Sequence, residues 1–308
     1  MDIAVAVFGS LTQDVYLYVR GGFSLGSSRV AVEYRVGGGG SAANTAVALS
    51  RLGVPVGFVG VVGGDDIGHI LIEDLAREGV DVRAVQIIEG RASSKAYIIV
   101  DLDSGERGMI GVRDAANYFT LGENVIEYVK RASYLHVTGY MLQEGPGLSR
   151  AVKLIKRASE KGVIVSLDLT QEISNREILR GIYGDIRYLL GNEGEFLLLG
   201  YKTTKEDLRR AQREIGCDGV IVKLGERGSV AFVEGEFHRS SSFQVPIIDT
   251  TGAGDAFNAG FLYGLVKGYD VETCLEIANA IGAYACRGKG ARYLPRREDL
   301  REMLGYEI

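Results

Sequence analysis

DTTGAGDAFNAGF, residues 249–261, sets Gly252, Ala253 and Gly254 between two aspartates, Asp249 and Asp255, just before an apolar run. Side chains this small let successive backbone N–H groups converge on one ligand. A helix over about 255–267 would bring the positive end of its dipole to the same spot. Such a site stabilises an anion, including one that develops only during reaction. A carboxylate at the loop–helix junction could then accept a proton from a hydroxyl while the loop holds a phosphoryl group. The same residues also suit a tight glycine turn with Asp255 as the helix N-cap. The loop lacks the Gly-Lys-Ser/Thr ending of a Walker A loop. Nor does it follow the first strand of a βαβ unit, where a dinucleotide fingerprint stands.

Outward from this loop the chain alternates between two kinds of segment. IAVAVFG (3–9), VGFVGVVG (56–63), SYLHVTG, VIVSLDL, IRYLLGN and GVIVKLG are short apolar runs, and most close on glycine. They read as buried parallel strands. SAANTAVALSRLG (41–53), HILIEDLAREG (69–79), GLSRAVKLIKRASEKG, NREILRGIY and KEDLRRAQREIG read as helices between them, several with a glycine stop. GSVAFVEGEFHR reads as a hairpin, and 243–248, FQVPII, as a strand. Strand–helix alternation predicts an α/β fold with a parallel sheet covered on both faces. Two stretches break the rhythm, at about 14–36 and 93–113, where apolar and polar residues alternate around Gly/Ser and Asp-Ser-Gly turns. They predict solvent-facing antiparallel strands inserted into the core as a small lid. A single domain over 1–308 follows.

With 35 basic and 40 acidic residues the net charge is -5, and no basic block occurs, which argues against a nucleic-acid partner. Cys217, Cys274 and Cys286 are far apart and odd in number, so neither a disulfide framework nor a metal spacing is visible. The first residues enter a strand without a signal-peptide pattern, and no apolar run reaches about 18 residues. The expectation is a cytoplasmic protein with no membrane partner. The 43 glycines, about twice the average share, lie at the ends of apolar runs and imply many tight strand–helix turns.

Taken together, DTTGAGDAFNAGF, GGSAANTAVALSRLG (39–53), GSLTQD (9–14), VGGDDIG (62–68), GNEGE (191–195), VKLGERG (222–228) and IANAIGAYACRGKGA (277–291) resemble, in order and along nearly the whole chain, the signatures of the ribokinase or PfkB-type carbohydrate kinases. The resemblance implies a ribokinase-like, doubly wound, mostly parallel sheet with helices on both faces and a small β-sheet lid. It implies phosphoryl transfer from ATP or ADP to a primary hydroxyl of a furanose sugar or nucleoside. By matching position Asp255 would be the catalytic base, and the N–H groups of Gly252, Ala253 and Gly254 the anion hole. Asp14, Gly39, Gly40 and Asn44 would grip the sugar. Asn192 and Glu195, the family's Asn-x-x-Glu element, would organise Mg²⁺ with its waters, since a hard cation needs oxygen ligands. Lys223, Gly225, Gly228, Thr251 and Asn279 would line the nucleotide. Asp249 would stand behind the loop, near a monovalent-cation site as in some members.

The pattern loosens where substrates are chosen. The family's Asp-x-Asn-x-Arg after the fourth strand is DLTQE here, with Asp168, Thr170 and Glu172, so the arginine expected for a keto-acid sugar is missing. Ser41 and Ala42 replace the Lys-Gly of many ribokinases. Lys95 and Arg113, with Arg91, are either solvated lid-edge charges or a grip for a phosphate already on the substrate, as in a ribose 1-phosphate kinase. Val15, Leu17, Val30 and Val32 suit either a homodimer through the lid or a sugar-facing surface. Asp65 and Asp66 read as turn and N-cap residues, and His69, His136 and His238 as structural. A non-catalytic sensor on the same fold would need no base, and a dinucleotide oxidoreductase would need glycines where GSLTQD stands.

Overall fold

The computed structural model describes residues 3–104, 106–143, 145–170 and 176–306. Strand β1 (Val5–Phe8) leads into lid strands β2 (Thr12–Val19) and β3 (Glu33–Gly39), then α1 (Ser41–Arg51), β4 (Val56–Gly63), α2 (Asp66–Arg77) and β5 (Asp81–Ile88). Lid strands β6 (Ser94–Asp101) and β7 (Arg107–Val112) follow. The chain continues through α3 (Glu123–Val129), β8 (Tyr134–Thr138), α4 (Leu148–Glu160), β9 (Ile164–Asp168), α5 (Arg176–Arg180), β10 (Tyr188–Asn192), α6 (Glu193–Leu198) and α7 (Lys205–Ile215). Strands β11 (Gly219–Lys223), β12 (Ser229–Val233) and β13 (Glu236–Ser240) precede α8 (Ala253–Lys267), α9 (Val271–Ala285) and α10 (Arg297–Leu304).

Among the described residues the main sheet has nine strands, ordered β13-β12-β11-β10-β9-β8-β1-β4-β5. It is parallel from β11 to β5, with β12 and β13 antiparallel at one edge. Its central strands are apolar on both faces because both faces are covered. In β1, Val5 and Val7 join a core with α1, α2, α8, α9 and α10, while Ala6 and Phe8 join the opposite core with α3, α4, α6 and α7. From β1 the chain builds outward to β4 and β5, then returns to β8 and builds the other way. Ligands of open α/β sheets bind at the carboxyl ends of strands beside such a switch. The lid springs from that same end. Helices α8 and α9 pack closely through small residues: a Cβ on Gly260 would come within 2.6 Å of Ala278 Cα. This contact fixes the helix whose first turn carries the anion loop.

Four local expectations need correction. The lid sheet runs β3-β2-β6-β7, and its central pair, β2 and β6, is parallel rather than antiparallel. Each insertion contributes one antiparallel pair, and the two pairs meet side by side. Residues 243–247 form no strand. Pro246 has no N–H to donate, and the main-chain bond here runs from Ile248 N to Cys286 O at 2.8 Å. The second lid strand starts at Glu33, leaving the exposed Val30 and Val32 outside it. Helix α8 starts at Ala253 with Gly252 as its cap, so Asp255 stands inside the first turn and caps nothing. Asp65 is the N-cap of α2, accepting from Gly68 N at 2.8 Å. His136 is buried mid-sheet with Nδ1 2.8 Å from Ser166 Oγ, and burial pushes its pKa down to about 4, so the ring stays neutral. Glu172 lies outside the described residues.

Candidate active site

Gly252 takes a left-handed conformation (φ 81°), and a Cβ there would stand 2.6 Å from Ala291 O, so only glycine fits. The N–H of Ala253, the first in α8, donates to Thr250 O at 3.2 Å, and the N–H groups of the first helical turn point toward the loop, where a helix start can hold an anion. Beneath them a Cβ on Gly254 would meet only Lys223 Nζ, at 3.6 Å, which sets an ammonium beside the loop. Asp255 turns inward instead. Its Oδ1 accepts from Ser41 Oγ at 2.6 Å and its Oδ2 from Asn44 Nδ2 at 2.8 Å. Burial pushes the Asp255 carboxyl up to about 6, against the pull of the Ser41 and Asn44 hydrogen bonds; nearby Asp168 raises it further and Lys223 lowers it. A carboxylate poised near neutrality can both hold and release a proton.

Across the cleft the lid presents Asp14 on β2, buried, with Thr12 Oγ1 donating to it at 2.7 Å and Tyr16 OH at 3.4 Å. Burial raises its pKa despite these donors and the nearby Arg292 charge. The Gly39–Gly40 turn permits the approach: a Cβ on Gly39 would run into the Asp14 carboxylate, and one on Gly40 (φ 94°) into Ser10 O. Tyr16, Tyr18, Ala96 and Ile98 line the same lid face as Asp14. Lys95 lies one residue out of phase, in the row with Gln13 and Val112, and so faces away from Asp14. Arg113 follows β7 and donates to Gln143 Oε1 and to Tyr140 O, with its guanidinium 5.3 Å from the Tyr140 ring centre.

Asp168, Asn192 and Lys223 are the last residues of the adjacent strands β9, β10 and β11, which brings them to one edge of the site. Lys223 Nζ donates to Asp168 Oδ1 at 2.6 Å and to Asn258 Oδ1 at 3.1 Å. Asn192 and Glu195 close a capping box on α6: Asn192 Oδ1 accepts from Glu195 N at 2.9 Å, and Glu195 Oε2 from Asn192 N at 2.7 Å. Burial, with Asp168 nearby, pushes Glu195 up to about 7. Among the described residues no three His, Cys, Asp or Glu side chains gather into a metal cage. This donor set fits a cation such as Mg²⁺, which keeps waters and takes one or two carboxylates together with substrate phosphates.

The remaining nucleotide-side residues are partly committed to the protein. Asp249 accepts from Thr251 N (2.8 Å), Thr251 Oγ1 (2.6 Å) and Gly290 N (2.8 Å). Burial works to raise its pKa, but these hydrogen bonds and the Arg107 charge together hold it below its ordinary value. Gly225 (φ 61°) and Gly228 (φ 83°) turn the chain from β11 into β12. The Asn279 amide is buried and donates to Ser229 Oγ at 2.9 Å and Ser240 O at 3.4 Å.

Four further residues reach the site that the sequence did not assign to it. Ser41 and Thr45 bracket Asn44 on one face of α1 at helical spacing, a pattern the sequence does display. Arg107 reaches from the lid to Thr251 Oγ1, with Asp249 at 3.8 Å. Arg292 pairs with Asp74 and sets its Nε 3.4 Å from Asn44 Oδ1.

A half-buried, doubly hydrogen-bonded carboxylate behind an anion loop, opposite a lid that carries a second carboxylate, is the constellation of a phosphotransferase with an alcohol as acceptor. The chain belongs to the pfkB family of carbohydrate kinases, whose sequence model matches residues 2–297, and it is a sugar kinase of the ribokinase-like fold. It is 34% identical over 270 residues (85% of this chain, 84% of the other) to a Halopiger xanaduensis protein described as an ATP-dependent ribose-1-phosphate kinase. Arabidopsis thaliana ribokinase, solved with ribose and ATP, superposes over 100% of both chains with a TM-score of 0.87 and 28% identity. An E. coli protein solved as a putative ribokinase II with ATP and Mg²⁺ covers 98% of this chain and 99% of its own, with a TM-score of 0.86 and 25% identity.

Proposed function

We propose that the chain transfers the terminal phosphoryl group of ATP to a primary hydroxyl of a ribose-like furanose, with Asp255 as general base. The observation that carries this reading is the Asp255 carboxylate, half-buried between α8 and α1 with both oxygens held and the first turn of α8 beside it. Asp14, Asn44 and the Gly39–Gly40 turn would hold the sugar's other hydroxyls, so that its primary hydroxyl meets Asp255. The proton passes to the carboxylate as the sugar oxygen bonds to the phosphorus. The bond to the nucleoside diphosphate breaks, and its electron pair leaves with that group. The N–H groups of Gly252, Ala253 and Gly254, with Lys223 beneath, would balance the charge on the moving group. Glu195 and Asn192 would hold Mg²⁺ through its waters, and the bound ion supplies further neutralisation of the phosphates. The E. coli structure with ATP and Mg²⁺ supports that choice of donor and ion. Lid closure over the sugar would exclude water and limit hydrolysis.

A second reading, an acceptor that already carries a phosphate, is favoured by the Halopiger xanaduensis relative and by Arg107 and Arg113 at the lid. We also read the outer lid face as a self-association surface. Tyr34, Val36, Tyr97, Ile110 and Val112 form a largely apolar, exposed face opposite the one that carries Asp14. The decisive assay is a coupled kinase screen of ribose, ribose 1-phosphate and nucleosides, with ATP and ADP in parallel. Turnover of ribose with ATP supports the first reading, and turnover of ribose 1-phosphate alone supports the second. Inactivity on all three classes with both donors overturns both.

A further inference from the structure

Helix α1 grips Asp255 at three points. Ser41 Oγ donates to Oδ1 at 2.6 Å, Asn44 Nδ2 to Oδ2 at 2.8 Å, and Thr45 Oγ1 to the Asp255 carbonyl at 3.2 Å. The three side chains stand at i, i+3 and i+4, which puts them on one helical face. Ser41 is the first residue of α1 and directly follows Gly40, so its place is set by the same turn that packs against Asp14. We infer that Ser41 is a positioning residue for phosphoryl transfer: its hydroxyl fixes the rotation of the Asp255 carboxylate and keeps it ready to take the acceptor's proton. This inference rests on the reading of Asp255 as the base.

Hydrogen bonds to a carboxylate are short and charge-assisted, and they favour its ionised form. A carboxylate near the start of a helix has two free side-chain torsions and, once buried, tends to protonate. Asn44 alone holds one oxygen and leaves the group free to pivot, whereas Ser41 on the other oxygen makes the grip two-pronged. The amide of Asn44 is itself oriented, since Arg292 Nε lies 3.4 Å from its Oδ1 and leaves its NH₂ facing Asp255. Asp168 at the end of β9 and Lys223 at the end of β11 are the titratable groups that act on Asp255 from the sheet. Asp14 faces the cleft from the lid, and the α1 face itself adds no titratable group.

The test compares Ser41→Ala and Ser41→Thr with the parent chain in two measurements. In steady-state kinetics on whichever sugar is turned over, Ser41→Ala is expected to move the acid limb of kcat up by about one pH unit. It should also lower kcat about tenfold at neutral pH, while the KM values for sugar and nucleotide change less than about twofold. Ser41→Thr, which keeps a hydroxyl, should restore most of both. In the substrate-free protein, the ¹³C carboxyl resonance of Asp255, assigned by its loss in Asp255→Asn, should titrate at higher pH in Ser41→Ala. An active parent with an unmoved limb and an unmoved titration in Ser41→Ala overturns the inference alone. So does a raised sugar KM with kcat preserved, which would make Ser41 a sugar contact. A parent that phosphorylates no alcohol defeats the base assignment, and the inference with it.

Discussion

Asp255→Asn should cut turnover sharply yet make the fold more stable at neutral pH than at acid pH, relative to the parent chain. The carboxyl is half-buried, and desolvation raises it from 3.8 to about 6. That shift of about two units corresponds to about 3 kcal/mol of cost for keeping the charge in the fold at pH 7. Between the two values the folded chain keeps a proton that the unfolded chain has lost, so this group's contribution to stability falls as pH rises and levels off above about 6. The amide does not titrate, and it adds only a constant offset from its new contacts with Ser41 and Asn44. From pH 5 to pH 7 the variant should therefore gain a little over about 1 kcal/mol on the parent, from linkage at 1.36 kcal/mol per unit over the part of the window crossed. Urea unfolding of both chains at several pH values measures the difference, and all other titrating groups cancel in it. With no tryptophan in the chain, far-ultraviolet circular dichroism is the suitable signal. Parallel stability curves for the two proteins, or a difference of opposite slope, would refute the argument. Turnover of the variant should fall about 10²–10⁴-fold, as for loss of a general base.

Other outcomes follow from neighbouring contacts. Lys223→Met leaves the buried Asp168 carboxylate without its ammonium and should cost about 3–5 kcal/mol; adding Asp168→Leu should recover most of the loss in a thermal melt. Gly260→Ala forces a Cβ to within 2.6 Å of Ala278 Cα, and the overpacking should cost about 1–3 kcal/mol in urea unfolding. Chelation with EDTA should stop turnover and added Mg²⁺ restore it, while Glu195→Gln should raise the Mg²⁺ concentration needed for half-maximal rate. Ile110→Asp, on the exposed lid face, should shift a dimer to monomer in sedimentation equilibrium, with the melting temperature of the monomer little changed.

Much of the architecture was legible because each layer obeys a local rule. Central strands such as β4 are apolar at every position, since both faces are covered, and glycines mark their ends. What escaped depends on partners far away in the chain. FQVPII has strand-like composition, but composition does not supply a neighbour with free N–H and C=O groups. β5, Asp81–Ile88, has its apolar residues offset by Arg83 and Gln86 and carried no strand signal, although it pairs with β4 along its length. In the site, Asp255 and Asn44 stood out through their motifs. Ser41 registered only as a departure from pattern, because its meaning lies in a bond to a residue 214 positions away. Lys95 illustrates a finer limit: one step of strand phase decides whether a lid charge looks into the cleft or away from it.

The parallel pairing of β2 with β6 has a practical consequence for anyone who wishes to redesign this protein. The cover of the cleft is not one peptide that can be cut out and exchanged. Its middle seam joins residues 12–19 to residues 94–101, two excursions that set out separately from the core. A transplant of either excursion alone would leave a half-sheet with an open edge, prone to pair with other chains. Recombination between relatives should therefore keep both excursions from the same parent, with crossovers placed after the second excursion, beyond residue 112. The seam also cannot form until α1, β4, α2 and β5 have brought its two halves together, so the cover should be the last part of the chain to become ordered during folding.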